Sequence, residues 1–148
     1  MRSLPCALLA LLSACTPEEG VLVLDPPSLD WGEIDFQQSM PLEGFDQREV
    51  NLINDGVKDL TIRIPGYDRV HLCLEGFEDQ EGIVELPTLS PGSRYILLPA
   101  VCGYDVEAGE IGTTFHGRLQ FVNDGTDPVE LLEYSFTPVR HIGDDTGT

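Results

Sequence analysis

Phe115-His116-Gly117-Arg118-Leu119-Gln120-Phe121-Val122-Asn123-Asp124-Gly125 alternates apolar and polar residues and then breaks into a turn. Phe115, Gly117, Leu119 and Phe121 fall on one side, His116, Arg118 and Gln120 on the other. Successive side chains of an extended chain point to opposite faces, so a period of two marks a strand with one buried face. The pattern repeats outward in both directions. Leu132, Tyr134 and Phe136 carry it downstream; Leu60, Ile62 and Ile64 carry it upstream. Val70, Leu72 and Leu74 do the same and place His71 and Cys73 on the opposite, polar face. Val50 and Leu52 form a shorter strand, and Tyr95 to Leu98 a more continuously apolar one. Turn formers lie between them: Asn54-Asp55-Gly56, Pro65-Gly66, Ser90-Pro91-Gly92 and Asn123-Asp124-Gly125, whose glycines suit positive φ. No window sustains a 3.6-residue period. About seven short strands predict an all-β chain folded as an antiparallel β-sandwich. Leu60, Ile62, Leu119, Phe121, Leu132, Tyr134 and Phe136 are expected between its two sheets. Trp31 is expected to plug one edge of the core, beside a Gly32 that bends the backbone or avoids a clash.

The order of the motifs carries a resemblance. Leu29-Asp30-Trp31-Gly32-Glu33-Ile34 is followed by Val50-Asn51-Leu52-Ile53-Asn54-Asp55-Gly56 and Asp59-Leu60-Thr61-Ile62. Leu89-Ser90-Pro91-Gly92-Ser93 and Gly117-Arg118-Leu119-Gln120-Phe121-Val122-Asn123-Asp124 complete the series. Together they resemble ASH-type, or choice-of-anchor D, domains, which are Ig-like sandwiches akin to the major sperm protein fold. The resemblance implies an Ig-like interaction or scaffolding module of a bacterial surface protein. The chain departs from the pattern where Pro99-Ala100-Val101-Cys102 stands near the usual Phe-x-Pro. Glu75 to Glu85 is longer and more acidic than a tight loop needs and reads as an insertion.

Nothing in the sequence composes an active site, and the chain is read as non-enzymatic. No Gly-x-Ser-x-Gly elbow, phosphate-binding glycine loop or HExxH motif is present. His71, His116 and His141 are widely spaced, and the first two read as solvated surface. Glu78-Asp79-Gln80-Glu81, Asn123-Asp124-Gly125-Thr126-Asp127 and Asp144-Asp145 offer oxygen ligands without EF-hand spacing. A calcium-dependent adhesion or matrix-binding module is therefore the alternative reading; no metal site or cofactor is assigned. The chain has 26 Asp and Glu against 8 Lys and Arg, a net charge of −18, which repels phosphate backbones and argues against nucleic acid as a partner.

The N-terminus assigns an address. Leu4 to Leu12 is almost wholly apolar behind Arg2, too short to span a bilayer, and closes on Leu12-Ser13-Ala14-Cys15. This resembles a bacterial lipoprotein signal peptide with its lipobox; a plain secretory signal cut near Ala14 is the alternative. The resemblance implies a signal peptide over 1–14 and a diacylglycerol, with palmitate-type acylation, on Cys15. Residues 15–20 then form the lipidated cysteine and its tether, 21–139 the sandwich, and 140–148 a disordered polar tail. Thr16 rather than Asp after the cysteine favours the outer membrane of a Gram-negative envelope by the enteric sorting rule. The membrane, through the lipid, and a protein of unknown identity are the expected partners. With Cys6 removed and Cys15 acylated, Cys73 and Cys102 remain as an even pair in an oxidising compartment. They are expected to form a disulfide, with free buried thiols as the alternative. Because Cys73 alternates away from Leu72 and Leu74, the bridge is expected at the sheet periphery. Closing a loop of about 30 residues would stabilise the fold by roughly 3 to 4 kcal/mol.

Overall fold

A computed structural model describes residues 19–35, 46–67, 71–77, 80, 82–102 and 108–140. These hold ten strands: β1 (Leu22–Asp25), β2 (Ser28–Asp35), β3 (Val50–Asn54), β4 (Ile62–Tyr67), β5 (Leu72–Leu74), β6 (Gly82–Glu85), β7 (Arg94–Leu97), β8 (Pro99–Val101), β9 (Phe115–Asn123) and β10 (Val129–Arg140). A 3-10 turn at Ala108–Glu110 is the single helical element among the described residues. The architecture is an all-β, Ig-like sandwich. One sheet runs β2-β10-β9-β4-β6 and the other β1-β3-β7, with β5 and β8 forming a third, two-stranded piece. Alternation delivers one face of each strand to a common core: Leu22, Leu24, Val50, Leu52 and Leu97 from the small sheet meet Ile62, Ile64, Leu119, Phe121, Leu132 and Phe136 from the large one. Phe121 and Phe136 are among the largest side chains that are fully buried.

Several sequence expectations need correction. Ten strands replace about seven. The sandwich is also not purely antiparallel, because β2 pairs in parallel with β10. Tyr134 is half-buried rather than buried, since its ring lies over Gly117 at the strand surface; a Cβ on Gly117 would run into the phenol. Arg94 to Leu98 alternates instead of burying both faces: Arg94 and Ile96 are exposed, and Leu97 is buried. The stretch read as an insertion contributes β6, whose Val84 enters the core and which pairs with β4. Val70 lies outside the described residues.

The Leu-x-Trp-Gly-x-Ile signature has a geometric cause. Leu29 and Trp31 are buried two residues apart, yet the next buried residue is Ile34, three further on. A bulge supplies the extra residue: Ser135 pairs with Asp30 and Thr137 with Glu33, so Trp31 and Gly32 together face Phe136. Gly32 takes φ +67 with open space where a Cβ would stand, so the glycine serves the bend and not a close approach. Trp31 then seats its ring edge-on to Tyr134, centroids 6.3 Å apart, and its indole N–H donates to the Asp46 carbonyl. The Arg48 guanidinium sits 5.7 Å from the indole centroid and is held by Asp46 at 3.0 Å.

Candidate functional site: a clamped N-terminal segment and an open sheet edge

Residues 19–21 are built into one end of the sandwich. Val57 N–H donates to the Glu19 carbonyl, Thr126 N–H to Gly20 and Asp55 N–H to Val21, at 3.0, 3.0 and 2.8 Å. The donors come from two turns with the same opening tripeptide, Asn54-Asp55-Gly56 after β3 and Asn123-Asp124-Gly125 after β9. Each turn is closed by its asparagine, whose Oδ1 accepts from the glycine two residues on, at 3.0 Å for Gly56 and 2.8 Å for Gly125. Each Nδ2 donates four residues on, Asn54 to Lys58 O and Asn123 to Asp127 O. Asn54 also accepts from Val21 N–H and donates to Leu89 O. Neither glycine has positive φ; both are required because a Cβ would strike the N-terminal segment, at Glu19 O for Gly56 and at Gly20 O for Gly125. This corrects the sequence reading of these turns. Gly92 does take a positive φ, of 80°. Glu19 and Gly20, within the stretch read as tether, are thus part of the sandwich. Cys15 lies outside the described residues.

Cys73 and Cys102 are joined in a disulfide with Cα atoms 5.7 Å apart. Its position corrects the peripheral expectation. Leu72, Cys73 and Leu74 are all buried, as are Pro99 to Cys102, so both faces of the paired β5 and β8 are covered. The Tyr67 hydroxyl accepts from Leu74 N–H at 2.8 Å and ties the bridged pair to β4. His71 is also misplaced by simple alternation: it is half-buried against Phe115 and Phe136, ring centroids 4.8 and 5.9 Å away. His116 is exposed, and His141 lies outside the described residues.

The cavities are shallow. One of about 240 Å³ brings His71 beside Tyr67, Arg118 and Tyr134 without a carboxylate. Another sets His116 near a single one, Glu133. Among the described residues no three His, Cys, Asp or Glu side chains gather to hold a metal ion. Glu78, Asp79, Glu81, Asp144 and Asp145 fall outside them. Asp124 is engaged by the fold: its Oδ1 accepts from Thr61 N–H at 2.9 Å, and that bond holds its pKa below the usual value. Burial, and then the charge of Asp127, push Glu130 upward. No helix among the described residues is long and apolar enough to cross a membrane.

β5 and β8 pair only with each other, and among the described residues four strands border the two larger sheets: β1 and β7 in one, β2 and β6 in the other. Three are blunted. The register of β2 is interrupted twice, β6 slips against β4, and β1 passes through Pro26-Pro27 directly into β2. By contrast, β7 pairs straight with β3 over four residues, Leu97 with Val50 through Arg94 with Ile53. Its outward Ile96 is 42% exposed. Val23 and Ile53 are direct partners on the same outer face, where Ile53 stands opposite Arg94 of β7, and Ile96 stands opposite Asn51. Sequence alternation could have flagged Ile53 and Ile96 as apolar residues on polar faces.

No protein-family model matches the chain, and no curated protein matches it in sequence. Among solved structures, it is similar to a protein of unknown function from Porphyromonas gingivalis W83, at TM-score 0.55 and 16% identity, over 80% of this chain and 46% of that one. It is also similar to WR4, a Caenorhabditis elegans MSP family member, at TM-score 0.48 and 10% identity, covering 76% of this chain and 94% of that one. The ASH/PapD-like domain 7 of human CEP192 aligns at TM-score 0.49 and 8% identity, covering 84% and 89%.

Proposed function

We propose that this chain is a non-enzymatic, lipid-anchored Ig-like module of a Gram-negative cell envelope that binds a protein partner by strand addition at β7. The observation that carries the binding role is the β7 edge, straight in register and carrying the exposed Ile96. A strand laid along β7 would gain backbone hydrogen bonds and set its outward side chains beside Ile96. The anchor rests on Leu12-Ser13-Ala14-Cys15, and the clamp at Glu19 sets its distance from the fold. Three residues lie between Cys15 and Glu19, so four backbone steps reach at most about 14 Å, and an acylated Cys15 would keep the clamped end close to the bilayer. Two or three acyl chains suffice for stable anchoring.

The test uses the full chain with its leader in a Gram-negative host. Cys15→Ser should move the protein from the membrane to the soluble envelope fraction; unchanged membrane fractionation overturns the anchor. Ile96→Lys should keep the membrane location and lose the proteins cross-linked to the wild type in native envelopes. Identical cross-linking by that variant overturns the edge.

A further inference from the structure

We propose that Asp55-Gly56 is a site of spontaneous aspartate isomerisation in the folded protein, while the matching Asp124-Gly125 is held inert by the fold. Asp-Gly steps are prone to this reaction because glycine leaves its amide nitrogen unhindered. The Gly56 nitrogen attacks Cγ of the protonated Asp55 carboxyl, a C–N bond forms, the amide proton is lost and water leaves. The resulting succinimide is hydrolysed at either carbonyl, which returns aspartate or gives isoaspartate. Water is expelled and regained, so the net change is an isomerisation with no other reactant.

The two steps share the nucleophile's restraint and differ at the electrophile. Gly56 N–H and Gly125 N–H are both tied to the preceding asparagine Oδ1. The Asp124 carboxylate is in addition bound by Thr61 N–H at 2.9 Å, a contact that fixes its rotamer and favours the ionised form, which does not lose hydroxide. Asp55 is exposed, and its carboxylate has no such bond among the described residues. Its backbone N–H is engaged instead, donating to Val21 O. Isomerisation at Asp55 would insert a methylene into the backbone between the donors to Val21 and Glu19. The product would therefore loosen the hold on residues 19–21, whatever lies ahead of them.

The full mature chain is aged for several weeks at neutral pH, folded and in concentrated guanidinium, and isoaspartate is located by peptide mapping with electron-transfer fragmentation. The unfolded sample is the internal control, since both sites read Asn-Asp-Gly. The expected result is similar accumulation at the two sites when unfolded, and several-fold more at Asp55 than at Asp124 when folded. Equal folded rates overturn the proposal. So does a folded protein in which Asp55 stays intact while the unfolded one reacts.

Discussion

Asn54-Asp55-Gly56 and Asn123-Asp124-Gly125 are the same tripeptide at the ends of two strands in opposite sheets, yet the fold distributes its polar work differently in each. Asn54 is fully buried and uses both lone pairs and both amide protons, two of them on Val21 and Leu89, which are remote in sequence. Among the described residues the Asn123 side chain makes two local bonds, and its neighbour Asp124 reaches across to Thr61. One turn is thus cross-linked through its asparagine, the other through its aspartate. A local motif sets the shape of a turn; the surroundings decide which of its atoms hold the domain together.

This contrast can be broken by mutation. The largest effect is expected for Asn54→Ala, which removes four hydrogen bonds at a buried position, leaving the Val21 and Gly56 N–H groups and the Lys58 carbonyl without this partner and Leu89 O with its Leu60 N–H bond; chemical denaturation should show a loss of about 3 kcal/mol. Gly56→Ala should cost about 2 kcal/mol by the same measurement, because the new methyl meets backbone rather than a yielding side chain. Asn123→Ala should cost about 1 to 2 kcal/mol; a loss equal to that of Asn54→Ala would erase the distinction. The smallest effect concerns Asp124→Asn and depends on pH. The folded pKa of Asp124 lies below its ordinary 3.8, so its carboxylate stabilises the fold above that value and loses the contribution as pH falls through the folded pKa. Melting curves should separate this variant from wild type at neutral pH and bring the two together in strong acid. A constant gap across that range would assign the difference to packing.

Alternation made most of the large sheet legible, because Leu60, Ile62, Ile64, Leu119, Phe121, Leu132 and Phe136 each have one buried and one solvated side to their strand. The same rule fails wherever a strand is covered twice. Cys73 and His71 sit on the polar side of a period-two pattern, but Cys73 is fully buried in its bridge to Cys102 and His71 packs on the Phe115–Phe136 stack. Parallel pairing of β2 with β10 leaves no mark on periodicity, since it is a relation between strands far apart in sequence. The bulge at Gly32 was written in the spacing of Leu29, Trp31 and Ile34, although its effect on phase emerges only from the register. The turn glycines were recognised for the wrong reason. That holds for Gly56 and Gly125, whose backbone angles are ordinary and whose constraint is the N-terminal segment, which no local rule reveals; Gly66 and Gly92 do take the positive φ expected of turn glycines. The β7 edge was invisible for a similar reason: a strand is an edge only through what fails to lie beside it.

The parallel pairing of β2 and β10 bears on how the domain would carry load. β10 starts at the clamped end and runs twelve residues away from it, about 35 to 40 Å in extended backbone. A pull applied between Glu19 and Arg140 would draw β2 backward along β10. Their six registered residue pairs, from Ser28 with Glu133 to Asp35 with Arg140, would then be strained together in shear instead of opening one after another. In that geometry the domain resists as a strut, and its weakest moment comes when the whole ladder slips at once.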